Sequence, residues 1–256
     1  MSVKPKKHLG QHFLWDSNIA RKIVESFREI QSENILEIGP GKGVLTKYLL
    51  EDFGNRFYAV EIDQESIHYL KAEYPELSPY LMEQDFLKLN LEKHFPHSVS
   101  IIGNFPYNIS SQIFFKILEN RNLVPFVVGM VQREVADRIS APPGSKTYGI
   151  LSVLLQAYYK VDVLFHVGPK SFTPPPKVNS SVIRFRRNDQ QKLDCDEKLF
   201  FTVVKQSFNQ RRKTIRNSLK SFLLNLKTEE DIWQKRPEQL SVHEFVELTK
   251  TIQANR

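Results

Sequence analysis

With 256 residues, 41% of them hydrophobic and a quarter charged, the chain has room for one large domain, or a domain with a small appendage. Thirty-six Lys and Arg against 29 Asp and Glu leave a net charge of +7, which suits a polyanionic partner, nucleic acid or an anionic membrane face. The single Cys195 excludes an internal disulfide, no apolar run reaches the ~20 residues of a membrane span, and the basic "MSVKPKKHLGQHFL" lacks the apolar stretch of a secretory signal. A soluble, cytoplasmic protein is expected.

Patterned sequence begins by about Gly10. Five runs rich in β-branched and aromatic residues follow and read as short strands: "NILEIG" (34–39), "FYAVEI" (57–62), "PYLMEQ" (79–84), "SVSIIGNF" (98–105) and "PFVVGMV" (125–131). Amphipathic stretches such as "VLTKYLLEDF" and "QESIHYLKAEY" lie between them. This alternation predicts a doubly wound α/β domain with a largely parallel sheet. Two later runs, "VDVLFHV" (161–167) and "SSVIRFR" (180–186), have no long helix between them and predict an antiparallel hairpin at the sheet edge. After Arg187 the polar "NDQQKLDCDEK" reads as a linker, and only helical patterning follows. Capping boxes at Thr228–Asp231 and Ser241–Glu244 mark helix starts there. The expected division is a Rossmann-like domain over 1–189 and a small all-helical domain over 190–256.

The stretch "LEIGPGKGVLT" turns from a strand into a helix. Gly39, Gly41 and Gly43 let the backbone turn sharply and approach a ligand that a Cβ would exclude. Glu61 ends the next strand about 20 residues on, where a carboxylate accepts from both ribose hydroxyls of a nucleoside. The spacing is Gly-x-Gly-x-Gly, preceded by Glu37, where dinucleotide sites use Gly-x-Gly-x-x-Gly. An acidic residue there suits a cationic ligand portion such as an ammonium group and repels phosphate, which favours S-adenosylmethionine over NAD. A tight turn with Glu61 solvated is the other reading. Asp85, in "EQDFLKL", ends the third strand, where it can accept from an adenine amine with Phe86 covering the ring. An ordinary helix cap is the alternative for Asp85.

The fourth strand delivers "NFPY" to the same crevice. The exocyclic amine of adenine is a poor nucleophile because its lone pair is delocalised into the ring. Two acceptors aimed at its N–H groups stabilise the positive charge that grows as the nitrogen becomes tetrahedral. The Asn104 oxygen and a backbone carbonyl held by Pro106 can supply that pair, since proline fixes φ. Tyr107 offers a flat face to a base flipped from its neighbours. A proline-stiffened turn with a structural tyrosine is the bland alternative. The glycine loop, Glu61 and Asp85 on the same crevice argue against it.

Taken together, "GQHFL", "EIGPGKG", "VEID", "QDFL", "GNFPYNIS", "SFTPPPKVNSSVIRF" and "SFNQRRKTIRNSL" resemble the bacterial small-subunit rRNA adenine dimethyltransferases, the kasugamycin-sensitivity enzymes. The likeness runs in order from about Lys7 to Leu219. It implies a class I methyltransferase sheet with a helical C-terminal domain. It also implies an S-adenosylmethionine-dependent enzyme that puts two methyl groups on N6 of each of two adjacent adenosines near the 3′ end of 16S rRNA, in the immature small subunit. By the same resemblance His12 and Leu14 would touch the cofactor, Gly39 would lie against its methionine part, Glu61 would bind the ribose and Asp85 the adenine amine. Asn104, beside the cofactor, and Tyr107 would hold the target base, and Phe172 would close on its other face. The chain departs from the family pattern at His12, where Asn is frequent, and at Phe105, where Leu is more usual.

"KQSFNQRRKTIRNSLKSF" (205–222) carries Lys205, Arg211, Arg212, Lys213, Arg216 and Lys220 with no acid. On a helix, Arg212, Arg216 and Lys220 share one face, apart from an Ile215, Leu219 and Phe222 stripe. Such a face repels itself unless a polyanion covers it, and contact with the rRNA backbone is expected. Lys4, Lys6 and Lys7 read as a flexible arm adding to the same attraction. His94 and His97 lack a third ligand, so no metal site is expected, and Cys195 has no partner for nucleophilic work. A monomer is expected. The rival readings are a large-subunit rRNA adenine methyltransferase of the macrolide-resistance type, a non-catalytic assembly factor on this fold, and a nicotinamide dehydrogenase, for which the NFPY corner has no use.

Overall fold

The computed structural model describes residues 3–28, 30, 32–190, 192–223 and 230–255. Among these, the strands are β1 (Phe13–Leu14), β2 (Asn34–Ile38), β3 (Phe57–Glu61), β4 (Leu81–Glu83), β5 (Val99–Asn104), β6 (Phe126–Gln132), β7 (Tyr159–Val167), β8 (Phe172–Thr173) and β9 (Ser180–Arg187). Seven form one sheet in the order β4-β3-β2-β5-β6-β9-β7, while β1 and β8 make a separate antiparallel ribbon. β4, β3, β2, β5 and β6 pair in parallel, and β9 runs antiparallel to β6. All five strands expected between residues 34 and 131 are present. The two later runs lie side by side at the edge, with β9 inserted next to β6.

The helices are α1 (Ser17–Glu25), α2 (Thr46–Phe53), α3 (Gln64–Glu73), α4 (Leu91–His94), α5 (Ser110–Glu119), α6 (Arg133–Ile139), α7 (Ile150–Gln156), α8 (Glu197–Asn209), α9 (Ile215–Ser218) and α10 (Val242–Ala254). Asp16 starts α1 by accepting from the N–H groups of Asn18 and Ile19 at 3.0 and 3.2 Å, and the helix buries Ala20, Ile23 and Val24 on one face. The strand order reverses between β2 and β5. There the carboxyl ends of neighbouring strands lead to helices on opposite faces and leave a crevice.

Close packing sets the shape of the sheet beneath that crevice. Phe105 is fully buried, and a Cβ on Gly129 of β6 would stand 2.3 Å from its Cε2 atom. The aromatic at 105 therefore depends on a glycine in the adjoining strand. Gly129→Ala is expected to cost about 1–3 kcal/mol by overpacking, and to lower activity by displacing Asn104 and Pro106. Thermal melts and turnover of Gly129→Ala beside Gly129→Ala with Phe105→Leu check this, the smaller Leu restoring part of both.

The chain divides into two compact units, Met1–Ala136 with Asp162–Arg187, and Asp137–Val161 with Asn188–Arg256. The boundary expected at 189/190 falls beside one junction, but 137–161 clusters with the C-terminal helices. Within that second unit Tyr158 donates to Glu197 at 2.9 Å and the Gly144 N–H to the Glu238 carbonyl at 2.7 Å. α7 is buried from Leu151 to Leu155 and packs on α8 and α10. A helix this apolar needs cover on every side.

The basic stretch is not one helix. α8 ends at Asn209, Thr214 is extended, and the Ile215 N–H donates to the Lys235 carbonyl at 2.8 Å. The shared face expected for Arg212, Arg216 and Lys220 is thus interrupted, although Ile215 and Leu219 are buried as expected. Arg211 is tied down, donating to the Lys146 carbonyl at 2.7 Å with Glu238 at 3.7 Å. Arg212, Lys213, Arg216 and Lys220 are exposed. The Ser241 capping box forms, with Ser241 N–H to Glu244 at 2.8 Å and Glu244 N–H to Ser241 Oγ at 3.2 Å. The box expected at Thr228 lies outside the described residues.

Candidate active site

A cavity of about 280 Å³ opens at the carboxyl ends of the parallel strands in the first unit. Gly39, Gly41, Glu61 and Asp85 line one side, and Asn104, Pro106 and Tyr107 the other. The N-terminal segment from His8 to Phe13 completes the wall, His12 included. The sheet explains this gathering. Parallel strands direct every carboxyl end to one edge, whatever separates them in sequence.

Gly39 and Gly41 have φ of 66° and 56°, in the left-handed region. A Cβ at Gly39 would meet nothing within 4 Å, whereas one at Gly41 would stand 2.8 Å from the Phe13 ring. The loop thus presents bare backbone to the cavity and packs against the N-terminal segment. Glu61 is 5% exposed and accepts from the N–H groups of Gly41, Ile62 and Asp63 at 3.1, 2.8 and 2.9 Å. Burial raises its pKa against those three hydrogen bonds. Three of about four acceptor positions of the carboxylate are filled, and its second oxygen keeps room for a ribose hydroxyl.

Asp85 accepts from the Leu87 N–H at 2.9 Å, so the cap reading and the cavity position both hold. Phe86 does not cover the cavity: it is 4% exposed and packs inward, and Ile62 and Leu87 supply the apolar lining. Ile62, half exposed directly after Glu61, is a cavity-lining residue that sequence reasoning missed. Its signal was an apolar side chain following the carboxylate at a strand end.

Glu37 is not at the mouth of the crevice. It is 1% exposed, accepts from Thr46 Oγ1 at 2.7 Å, and borders a separate void of about 20 Å³ with Phe13, Gly39 and Asn104. Burial pushes its pKa up to about 8, from an ordinary 4.5, with Glu61 adding to the rise and Thr46 opposing it. Between these values the folded state holds a proton that the unfolded state has lost. Stability of the ligand-free protein therefore falls as pH rises from 4.5 to about 8, by about 1.4 kcal/mol per pH unit from this group. Glu37→Gln is expected to remove that slope in melting temperature against pH.

At the NFPY corner the Asn104 Nδ2 donates to the His12 carbonyl at 2.9 Å, which turns Oδ1 away as an acceptor. The Pro106 carbonyl accepts from the Ile109 N–H at 3.2 Å and holds the turn. The Tyr107 hydroxyl pairs with Ser180 Oγ, and its ring is stacked on His12 at 5.3 Å between centroids. One tyrosine face is therefore already occupied. His12 also bonds the Pro174 carbonyl at 2.8 Å through Nδ1, so its side chain serves the corner. Asn108 donates to the His8 carbonyl at 3.1 Å, a second tie between corner and N-terminal segment.

Lys6 is not part of a free arm. It pairs with Asp63, which also accepts from Gln11 Nε2 at 3.0 Å. Burial would raise the Asp63 pKa, but the Lys6 and Gln11 hydrogen bonds outweigh it and hold the carboxyl below its usual range. Leu14 and Phe172 face each other across the β1–β8 ribbon, each 3% exposed within the core. Phe172 thus lies beneath the ribbon and not over the cavity, because strand alternation turns both side chains inward. Among the described residues no group of three or more His, Cys, Asp or Glu could hold a metal ion, and no helix is long and apolar enough to cross a membrane.

A glycine loop and strand-end carboxylates lining one cavity at the carboxyl edge of this sheet define a class I S-adenosylmethionine-dependent methyltransferase. The pattern of the family described as ribosomal RNA adenine dimethylase matches residues 2–253. A relative from Parabacteroides distasonis, ribosomal RNA small subunit methyltransferase A, is 57% identical over 96% of this chain and 93% of its own. Among solved structures, a dimethyladenosine transferase from Plasmodium falciparum is 26% identical with a TM-score of 0.79, covering 95% of this chain and 98% of that one. The 23S rRNA methyltransferase ErmE shares the fold at 23% identity and a TM-score of 0.69, over 93% and 99% of the two chains. The chain belongs to the ribosomal RNA adenine dimethylase family.

Proposed function

We propose that the protein dimethylates N6 of two adjacent adenosines near the 3′ end of 16S rRNA in the immature small ribosomal subunit. The observation that carries this reading is the orientation of Asn104, whose amide nitrogen is engaged by the His12 carbonyl so that its oxygen serves the target amine. The small-subunit activity in the name of the 57% identical relative supports the choice of rRNA.

The cavity fits S-adenosylmethionine: bare backbone at Gly39, a hydroxyl acceptor at Glu61, an amine acceptor at Asp85 and apolar cover from Ile62. When bound, this cofactor supplies an electrophilic methyl group. Asn104 Oδ1 and a backbone carbonyl at Phe105–Pro106 accept from the two N–H groups of the adenine amine and favour its tetrahedral, cationic form. Tyr107 stacks the base on its face away from His12. No residue is needed as a strong base, because the nitrogen becomes acidic once it carries the extra methyl. Arg212, Lys213, Arg216 and Lys220 contact the rRNA backbone. The reading further takes the enzyme as a cytoplasmic monomer that needs no metal.

Methyl transfer from labelled S-adenosylmethionine to undermethylated small subunits and, separately, to large-subunit rRNA tests this. N6-dimethyladenosine from the small subunit alone is the expected product. Label in large-subunit rRNA, or none anywhere with the cofactor bound, would overturn it.

A further inference from the structure

The β1–β8 ribbon has two faces. Leu14 and Phe172 point into the core, so alternation puts Phe13, Trp15, Ser171 and Thr173 on the other. The Phe13 ring lies against the glycine loop and lines the cavity. Two residues along, Trp15 is 60% exposed, the highest value among the exposed large apolar side chains described. It is not a loose side chain. Its backbone N–H donates to the Ser171 carbonyl at 3.0 Å, and its indole Nε1–H to the Lys170 carbonyl at 3.1 Å.

An indole fixed by its only donor, with its ring in water, is a preorganised stacking surface. Two lysines lie on this side of the ribbon. Lys170 is exposed, and the Lys42 ammonium lies 5.3 Å from the Phe13 ring on the same face. The nearest carboxylate in sequence, Asp16, is turned into the cap of α1. Aromatic rings interleaved with lysines are the surface that single-stranded nucleic acid takes. The ribbon also meets the amine corner, because His12, immediately before β1, stacks on Tyr107.

We propose that Trp15 stacks an RNA base next to the one held at Asn104 and Tyr107, with Lys170 and Lys42 beside the phosphates. This rests on the functional reading above, in which two adjacent adenosines are modified. While one is extruded into the corner, its neighbour loses its stacking partner, and the indole replaces it. Trp15 is on this account a positioning residue for substrate, with no part in the chemistry.

The chain has two tryptophans, and Trp233 is 1% exposed, so Trp15 carries the solvent-sensitive emission. The test titrates the full-length protein with an RNA hairpin whose loop holds two adjacent adenosines. Tryptophan emission should be quenched in the wild type and stay level in Trp15→Phe. RNA Kd should rise about 10-fold in Trp15→Ala and stay within about 3-fold in Trp15→Phe, which keeps a ring face. Affinity for S-adenosylmethionine should not change, and unaltered Trp233 emission reports that Trp15→Ala is folded. Equal RNA affinity in wild type and Trp15→Ala, or quenching that survives in Trp15→Phe, would overturn the proposal. So would a dimer in sedimentation velocity that Trp15→Ala dissolves, since the face would then belong to a second copy. The two readings fail differently: a wild-type enzyme that does not methylate small subunits refutes the function, whereas normal methylation with an indifferent Trp15 refutes only the stacking surface.

Discussion

Asn104→Ala is expected to lower methyl-transfer turnover by about 10²–10³-fold, the usual cost of removing one group that stabilises transition-state charge. Cofactor affinity should fall much less. The same substitution removes the hydrogen bond at 2.9 Å to the His12 carbonyl, which helps to hold the N-terminal wall of the cavity. A single neutral hydrogen bond contributes about 1 kcal/mol, or roughly 5-fold in affinity. Calorimetry with S-adenosylmethionine beside single-turnover transfer separates the two effects. Parallel losses of about 5-fold in each would mean that Asn104 acts through the wall, and that the amine finds its acceptors elsewhere.

Glu61→Gln should weaken S-adenosylmethionine binding by about 10–100-fold, in line with the loss of hydrogen bonds to a charged acceptor. The geometry makes this more severe than an isosteric change suggests. One carboxylate oxygen accepts from Gly41, and the other from both Ile62 and Asp63. Placing an amide NH₂ at either position sets donor against donor. The glycine loop or the start of α3 must then shift, and a lower melting temperature should accompany the weaker binding. Calorimetry and melting curves on the cofactor-free protein read both. A lower melting temperature with unchanged affinity would leave Glu61 as a support of the loop and no more.

Much of the cavity lining was legible because its signals are local. Gly39, Glu61, Asp85 and Asn104 each lie at the end of a run of strand periodicity, Gly41 sits in the turn that follows the first, and a parallel sheet places such ends together. What lines the cavity from His8 to Phe13 was not legible at the same level. Its ties, Asn104 to His12 and Lys6 to Asp63, join residues 92 and 57 positions apart and leave no periodic trace. Phe86 and Ile62 show the same limit on a smaller scale. Both are apolar neighbours of a strand-end carboxylate, and the direction of each side chain decides which one lines the cavity. In the basic stretch, charge spacing suggested one helical face. The extended Thr214 and the pull of the Lys235 carbonyl on Ile215 broke it, and Arg211 was taken up by Lys146 and Glu238.

By itself the sequence determined the alternation of strands and helices, the glycine turn, the carboxylates at the strand ends and the proline turn after the fourth strand, because period and turn chemistry act within a few residues. The tertiary structure alone decided that 137–161 packs with the C-terminal helices, that Glu37 is buried under the loop, that Leu14 and Phe172 turn inward, and that Trp15 turns out. Each of these depends on which surfaces meet across the fold, and burial is a property of the partner as much as of the residue.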